Sequence, residues 1–235
     1  MKEYDIFLFD ADNTLYDFDK ASAHTIKLLF DEHGFTYYDD IPARFLDIGI
    51  QLWERYEKGE LSDTDLQKLR FAQLLDALGM THDPVQLNAK YMYELGKCSL
   101  LFDGALEVCR HLSATGKQIY IITNSFWPTH EARIQHSPLE EYMSGFFVSE
   151  LIGHKKPSAQ FFAHVLSCIP SADKSKILVV GDSLSADIAG GISAGMDTCW
   201  FNPHRLENRT GIVPTYEINE LREIIGGVKC LTEHA

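Results

Sequence analysis

The chain has few of the features that mark secreted proteins, zinc proteins or membrane proteins. Its 5 cysteines are widely spaced without a Cys-x-x-Cys pair, which favours reduced thiols over a disulfide framework or a zinc site. Its 10 histidines form no His-Glu-x-x-His motif. No apolar run approaches the length of a membrane span, and the run at residues 6–9 is too short for a signal peptide. We therefore expect a cytoplasmic protein that does not enter a membrane.

An excess of basic charge is also missing. The formal net charge of the 235 residues is −13 at pH 7. Proteins that bind a nucleic acid polymer do so mainly through Lys and Arg contacts to phosphates, so we expect no such partner. A small anionic substrate remains compatible with this charge if a metal ion or a few local cations reverse the electric field at the site.

Two carboxylates follow the first apolar run of the chain. Residues 6–9 predict a buried strand, and Asp10 and Asp12 come directly after it. Ligands of parallel α/β sheets bind beyond the carboxyl ends of strands, so these acids are candidates for chemistry. Two anions this close stay ionised together only if a cation lies between them or one holds a proton. The pair therefore predicts a metal ion or a shared proton.

Three interpretations of this pair compete. A calcium loop of the EF-hand type needs Gly at its sixth position and Glu at its twelfth, where this chain has Leu15 and Ala21. A helix start capped by Asp12 or Thr14 explains one acid but not two. A carboxylate nucleophile with an acid–base partner two residues later uses both acids.

The middle of the chain changes from strand-like to helical patterns. Apolar residues at three- and four-residue spacing predict helices around residues 21–33, 41–56, 64–78 and 85–97. Short runs rich in Ile, Val, Phe and Tyr predict strands at residues 118–123, 145–149, 177–181 and 197–202. Together they predict a three-layer α/β fold, a Rossmann-like parallel sheet with an inserted all-helical domain. We place the discontinuous core at residues 1–16 and 100–235 and the helical domain at residues 17–99.

Polar residues follow the predicted strands. Asp10 ends the first strand, Thr123 and Asn124 end the second, and Asp182 ends the fourth, while Lys156 comes after the third. Because the carboxyl ends of parallel strands meet at one edge of a sheet, we expect these side chains to converge. Taken alone, Thr123 could be an ordinary strand-end hydroxyl and Lys156 a solvated charge.

Four blocks of sequence, taken in order, resemble the four motifs of the haloacid dehalogenase (HAD) superfamily of aspartate-nucleophile phosphatases. The blocks are FDADNTL, IITNS, KKP and GDSLSADIAGGISAGMDT, which begin at residues 9, 121, 155 and 181. The match covers nearly the whole chain, because the helical insert resembles the cap of that superfamily at the same point. The resemblance implies a HAD-like core with a helical cap and the hydrolysis of a phosphomonoester.

The resemblance also implies roles for the acidic residues. Asp10 would attack phosphorus and form an aspartyl-phosphate, and Asp12 would protonate the leaving oxygen and then take a proton from the hydrolytic water. Magnesium would be held by the Asp10 carboxylate, the Asp12 backbone carbonyl and Asp182. Asp187 would lie behind the metal ligands and orient Lys156 or a metal-bound water, with direct ligation of the metal as the alternative.

The remaining motif residues are implied to bind the phosphate. Thr123 and the Asn124 backbone would donate to the phosphoryl oxygens, and Lys156 would offset the charge of Asp10 and of the substrate. Lys155 is the alternative lysine. We choose Lys156 because it directly precedes Pro157, as the motif requires.

A narrower resemblance links the chain to the YjjG-type pyrimidine 5′-nucleotidases within this superfamily. It rests on FDADNTLYDFD, on LWERYEKGELS from Leu52, and on GGISAGMDTCWFN ending at Asn202. A nucleoside 5′-monophosphate is the implied substrate. Such relatives tend to have Gly where this chain has Ser125, which leaves the base preference open.

Other functions remain compatible with parts of the pattern. Within the superfamily, the alternatives are a phosphatase of sugar phosphates or other small phosphometabolites and a phosphomutase. From another class, a non-catalytic phospho-acceptor domain uses similar acids, but such a domain is about half this length and has no cap. The string GDSLS at Gly181 occurs in serine esterases, which need a downstream Asp-x-x-His pair that this chain lacks after Ser183.

Overall fold

The structure is a computed structural model that describes residues 2–170, 172–227 and 231. Four cysteines in these ranges are free thiols, as expected: Cys98, Cys109, Cys168 and Cys199. Cys230 lies outside the described residues. Within the same ranges, no helix combines the length and the apolar character that crossing a membrane requires.

A parallel sheet of six strands forms the centre of the α/β part of the described chain. Its strands are β1 (Ile6–Phe9), β2 (Gln118–Thr123), β3 (Gly145–Val148), β4 (Ile177–Gly181), β5 (Asp197–Phe201) and β6 (Tyr216–Ile218). They are ordered β3-β2-β1-β4-β5-β6, and every neighbouring pair is parallel. The predicted parallel α/β fold is therefore confirmed. Strand β1 lies between β2 and β4, the two strands whose carboxyl ends lead to Thr123 and Asp182.

Both faces of the sheet are covered by apolar side chains. Successive side chains of a strand point to opposite faces, and in β1 Phe7 and Phe9 join one hydrophobic cluster while Ile6 and Leu8 join the other. A strand buried on both faces has no solvated side, which explains the unbroken apolar run at residues 6–9. The first polar side chain after this run is therefore at the edge of the sheet.

Helices connect the strands and form the insert. They are α1 (Phe18–His33), α2 (Ile41–Glu57), α3 (Asp63–Ala77), α4 (Pro84–Gly96), α5 (Ala105–Ala114), α6 (Trp127–Gln135), α7 (Ser149–Ile152), α8 (Ala159–Cys168), α9 (Ala189–Ser193) and α10 (Glu223–Gly226). Two short 3-10 helices, Glu140–Tyr142 and Lys174–Lys176, and a π-helix, Leu184–Ile188, complete the regular structure of the described residues.

The chain divides into two compact units. The α/β unit comprises Met1–Asp17, Leu101–Trp127 and Ser137–Ala235, and the helical unit comprises Phe18–Leu100 and Pro128–His136. The domain boundaries given above from the sequence remain a prediction. The segment Pro128–His136 belongs to the helical unit because α6 packs against the end of α4, where a Cβ added to Gly96 would lie 3.0 Å from Cβ of Ala132.

The helical unit is a bundle in which α1 and α3 each pack against α2 and α4. Helix α3 starts with a capping box, in which Ser62 Oγ accepts from Asp65 N–H while the Asp65 carboxylate accepts from Ser62 N–H. This start lies one residue before the helix predicted around residues 64–78. The bundle core is aromatic, and the rings of Phe45 and Tyr91 have centroids 5.1 Å apart.

A buried arginine lies within this aromatic core. Arg70 is only 4% exposed, and its Cζ lies 5.6 Å from the ring centroid of Phe45 and 5.7 Å from that of Tyr91. Among the described residues, no acceptor lies within hydrogen-bonding distance of its Nε. The contacts of Arg70 with this core are therefore cation–π contacts.

Candidate active site

The candidate site lies where three neighbouring strands end. Asp10 directly follows β1, Thr123 is the last residue of β2, and Asp182 directly follows Gly181 at the end of β4. The backbone of Asp10 continues the sheet by one hydrogen bond, from its N–H to the carbonyl of Val180 at 2.8 Å. Since β2, β1 and β4 are adjacent and parallel, their ends present these side chains at the same edge.

Lys156 is the cation at this edge. Its Nζ lies 2.6 Å from Oδ1 of Asp10, 2.6 Å from Oδ1 of Asp187 and 2.8 Å from the carbonyl oxygen of Ile122. An ammonium group has three donors, and all three are used here. Lys156 is only 2% exposed, whereas Lys155 beside it is half-buried. The lysine lies in the turn before α8, which begins at Ala159, rather than at the start of that helix.

Asp187 lies behind the edge of the sheet and is buried. One of its oxygens accepts from Lys156, and the other, Oδ2, accepts from the backbone N–H of Ser183 at 3.2 Å. The π-helix that carries Asp187 passes so close to β4 that a Cβ added to Gly181 would overlap the Asp187 carboxylate. Glycine at position 181 is therefore what lets this carboxylate reach Lys156.

Thr14 joins the first and the fourth motif. Its hydroxyl donates to Oδ2 of Asp10 at 3.2 Å and accepts from the backbone N–H of Asp182 at 3.1 Å. The indole N–H of Trp200 donates to the carbonyl oxygen of Asp182 at 2.8 Å. The two bonds of Thr14 hold the turn that follows β1 against the turn that follows β4. The sequence pattern indicated Thr14 only as a helix cap and gave no signal for Trp200 at this position.

Thr123 and Asn124 shape the end of β2. Oγ1 of Thr123 accepts from the backbone N–H of Ser125 at 3.1 Å, which leaves its hydroxyl proton available to a ligand. The side chain of Asn124 bonds the backbone of Lys156 at two points, since its Oδ1 accepts from Lys156 N–H at 2.9 Å and its Nδ2 donates to Lys156 C=O at 3.1 Å. The motif implied a role for the backbone of Asn124 only, so the contact of its side chain with Lys156 was not predicted.

Burial and like charge dominate the electrostatics of the site. Burial raises the pKa of Asp10 to about 7; Lys156 opposes this increase, and the charges of Asp187 and Asp12 add to it. The pKa of Asp182 is also well above its usual value, because of burial first and then the charges of Asp10 and Asp187. Burial by itself would lower the pKa of Lys156, but the two carboxylates that it contacts keep this pKa above its usual value.

The donor set fits a divalent cation. Carboxylate oxygens of Asp10, Asp182 and Asp187 all lie within 4.8 Å of one another. One ammonium group faces these three acids, so full ionisation would leave excess negative charge in a buried place. A hard divalent cation bound by oxygen ligands removes that excess. Asp187 is 1% exposed and is the most deeply buried of the three, which leaves Asp10 and Asp182 as the better placed candidate ligands.

Asp12 lies in the turn beyond Asp10 and is half-buried. Its backbone forms an isolated bridge with Tyr16, which folds the segment after β1 into a compact turn. The charge of Asp12 acts on Asp10, as the raised pKa of Asp10 records. The structure therefore places the two acids of the first motif close enough to interact.

Comparison with known proteins now adds to this geometry. The family model of haloacid dehalogenase-like hydrolases matches residues 4–195. The chain belongs to this family. The match confirms the resemblance drawn from the four motifs and, with it, the prediction of an enzyme that is a hydrolase.

Several relatives match over nearly their whole length. YfnB of Bacillus subtilis, named as a HAD-hydrolase, is 37% identical over 95% of each chain. The pyrimidine 5′-nucleotidase PynA of Streptococcus pneumoniae is 33% identical over 94% of each chain. The pyrimidine 5′-nucleotidase YjjG of Escherichia coli is 30% identical over 94% of this chain and 96% of its own. These relatives confirm the narrower resemblance to nucleotidases of the YjjG type and support the prediction of a phosphatase.

A solved structure of a relative has the same fold. The crystal structure of Bacillus subtilis YfnB bound to magnesium superimposes with a TM-score of 0.91 at 36% identity, over 96% of this chain and 98% of that one. A HAD hydrolase with the same fold therefore binds magnesium, the metal that the motifs of this chain imply.

Proposed function

We propose that this HAD hydrolase is a magnesium-dependent phosphatase that hydrolyses pyrimidine nucleoside 5′-monophosphates through an aspartyl-phosphate on Asp10. The observation that carries the proposal is the convergence of Asp10, Lys156, Asp187 and Asp182 at the carboxyl edge of the sheet. This arrangement offers a nucleophile, a cation and a metal site around one position, which is what an in-line transfer of a phosphoryl group needs.

Asp10 and Asp12 divide the covalent chemistry between them. A carboxylate oxygen of Asp10 bonds to phosphorus while the bond from phosphorus to the nucleoside oxygen breaks, and Asp12 supplies the proton that this oxygen takes up. Water then attacks the phosphorus of the aspartyl-phosphate, gives its proton to Asp12 and releases phosphate from Asp10. The presence of Asp12 as a proton donor favours phosphoester cleavage over dehalogenation, since a halide leaves without a proton.

The phosphate is held by groups from two loops. Thr123 donates its hydroxyl proton to a phosphoryl oxygen, because its bond with Ser125 N–H uses the hydroxyl oxygen and not this proton. The backbone N–H of Asn124 donates to the same phosphoryl group. Lys156 offsets the charge of Asp10 and of the phosphoryl oxygens. Asp187 keeps the ammonium group of Lys156 in place, because its carboxylate accepts a hydrogen bond from that group at 2.6 Å.

The metal would be held by the carboxylates of Asp10 and Asp182 and by the backbone carbonyl of Asp12. Mg²⁺ suits these oxygen ligands and, when bound, neutralises the negative charge of the carboxylates and of the phosphoryl oxygens. The raised pKa values of Asp10 and Asp182 in the absence of a metal support such a site.

The substrate class rests on the relatives. PynA and YjjG, both named pyrimidine 5′-nucleotidases, match this chain over nearly its whole length at 33% and 30% identity. Sugar phosphates, other small phosphometabolites and phosphomutase chemistry are the alternatives on the same site. Nucleotides are preferred because these two nucleotidase relatives combine high identity with high coverage.

A phosphate-release screen tests this proposal. Purified protein with Mg²⁺ is assayed on UMP, dUMP, TMP, CMP, AMP and ribose 5-phosphate, with Asp10→Asn protein as the control for contaminating phosphatases. We expect the pyrimidine nucleotides to give the highest kcat/KM. A clear preference for ribose 5-phosphate would refute the nucleotide assignment and leave the phosphatase intact. The absence of phosphate release from every ester would refute the phosphatase itself.

A further inference from the structure

We propose that the side chain of Asn124 is a positioning residue that holds Lys156 in register with the phosphate-binding end of β2. This inference rests on the proposed function, in which Thr123 donates to the phosphoryl group and Lys156 offsets the charge of that group. It assigns to the Asn124 amide a role different from that of its backbone.

The Asn124 amide holds the backbone of Lys156 on both sides of its Cα. Oδ1 accepts from Lys156 N–H at 2.9 Å, and Nδ2 donates to Lys156 C=O at 3.1 Å. Two bonds of opposite polarity to one residue fix both its position and the direction of its peptide groups, which a single bond would not do. The two residues are 32 positions apart, so the contact ties two separate loops together.

This contact matters because Lys156 otherwise lies in irregular structure. It occupies the turn between Ile152, the last residue of α7, and Ala159, the first residue of α8, and no helix or strand bonds hold its peptide groups. The lysine side chain has four rotatable bonds, so a movement of its Cα would move Nζ away from Asp10 and Asp187. The Asn124 amide prevents that movement at the backbone.

Its neighbour in the sequence explains why position 124 is suited to this role. Thr123 immediately precedes Asn124 and ends β2, the strand whose Ile122 carbonyl also accepts from Lys156 Nζ at 2.8 Å. Lys156 is thus attached to the end of β2 at its backbone and at its side-chain tip. These attachments at its backbone and at its Nζ restrict the movement of Lys156 relative to Thr123.

The two bonds to Lys156 fix the orientation of the Asn124 amide. Each uses one hydrogen-bonding site of a group that has two, so the amide can hold the lysine whether or not a ligand is bound. Because loss of a hydrogen-bond partner of a polar group in a closed site is costly, the amide stays with the lysine.

A double-mutant cycle between Asn124→Ala and Lys156→Met tests the inference. Both substitutions leave the backbone N–H of residue 124 in place. The readouts are kcat and KM for the best substrate of the screen, and the Kd of inorganic phosphate in the presence of Mg²⁺. Phosphate binding remains measurable where turnover is lost. We expect Asn124→Ala alone to weaken kcat/KM on the order of tenfold to a hundredfold, as removal of an orienting partner does.

The cycle separates positioning from a general structural effect. If the amide acts through Lys156, Asn124→Ala changes the Kd of phosphate by less than about twofold in the Lys156→Met background. Equal effects of Asn124→Ala in both backgrounds would overturn the inference, as would wild-type kinetics of the single variant. If Asn124→Ala does not fold, the same cycle is run with Asn124→Ser.

Asn208→Ala is the matched control. Asn208 belongs to the same α/β unit, is exposed, and bonds backbone groups at both ends of its amide, since Nδ2 donates to Ile212 C=O at 2.7 Å and Oδ1 accepts from Thr210 N–H at 3.1 Å. Its loss should leave kcat, KM and the phosphate Kd unchanged. A wild-type protein that hydrolyses no phosphoester would refute the proposed function. A working wild type with additive variants would refute only the role of Asn124.

Discussion

At the scale of the residue, the main feature of the site is buried negative charge that is only partly compensated. Asp10, Asp182 and Asp187 bring carboxylates together in a buried place, and Lys156 neutralises part of their charge at 2.6 Å from two of them. Buried groups of this kind are retained for chemistry, because a well-packed apolar replacement is often as stable or more stable. We therefore expect single substitutions here to separate activity from stability.

Asp10→Asn tests the nucleophile. Asparagine keeps the size of the side chain and an oxygen that can accept from Lys156 or Thr14, so the packing is preserved. We expect turnover to disappear and the free energy of unfolding to change by no more than about 1 kcal/mol. Steady-state kinetics and urea unfolding measure the two quantities. Activity near that of the wild type would contradict the covalent mechanism.

Arg70→Met tests whether a buried cation in the helical unit contributes to stability. Arg70 is 4% exposed, its Nε has no hydrogen-bond acceptor among the described residues, and its guanidinium group lies against the rings of Phe45 and Tyr91. Methionine fills a similar volume without a charge. We expect the free energy of unfolding either to increase, or to decrease by less than about 1 kcal/mol. A loss of about 3 kcal/mol or more, which is the cost of breaking a buried ion pair, would show that the protein compensates the charge of Arg70.

At the scale of the element, β1, β2 and β4 carry the site because they are neighbours in a parallel sheet. The sequence predicted these strands from their apolar runs, and Gln118–Thr123 and Ile177–Gly181 are found with the predicted bounds. It did not predict β6 (Tyr216–Ile218), because three residues with Glu217 in the middle are too short a signal. The membership of α6 in the helical unit also depends on packing between distant segments, to which local patterns are insensitive.

Gly181→Ala tests the close contact between β4 and the π-helix. An added Cβ would overlap the Asp187 carboxylate, so either β4 or the π-helix must move and the bond from Lys156 to Asp187 is lost. We expect kcat to fall at least a hundredfold and the protein to lose stability. Gly49→Ala in α2 is the control, since a Cβ there meets no atom within 4 Å. It should raise the free energy of unfolding by roughly 0.5–1 kcal/mol through helix propensity. Equal effects of the two substitutions would contradict this account.

At the scale of the whole molecule, the sequence predicted more of the site than of its support. Asp10, Thr123, Lys156 and Asp182 were identified because each follows a predicted strand or belongs to a motif, and their roles remain proposals. The bond from Lys156 to Asp187 was expected from the resemblance, whereas the other bonds that orient these residues were not predicted. The amide of Asn124 meets Lys156 across 32 residues, and Trp200 reaches the carbonyl of Asp182 from β5. Such contacts depend on the path of the folded loops, which composition and periodicity do not encode.

Metal removal tests the acidic cluster in the intact protein. Mg²⁺ binding to the folded state alone should stabilise it by about 2.7 kcal/mol at a concentration of 100 times Kd. We expect EDTA to abolish phosphate release and to lower Tm, and added Mg²⁺ to restore both. The predicted ligands are tested by Asp182→Asn, which should weaken the Mg²⁺-dependent rise in Tm. Full activity after complete removal of divalent cations would contradict the metal assignment.

The central claim is that Asp10 carries the phosphoryl group during turnover. It is tested by mixing the enzyme with substrate and Mg²⁺, quenching in acid within the first turnovers, and mapping phosphate on the peptides by mass spectrometry. The account predicts phosphate on the peptide that contains Asp10, lost on treatment with hydroxylamine and absent from Asp10→Asn protein. Rapid turnover with no phosphorylated Asp10 at any quench time, together with an active Asp10→Asn variant, would contradict it.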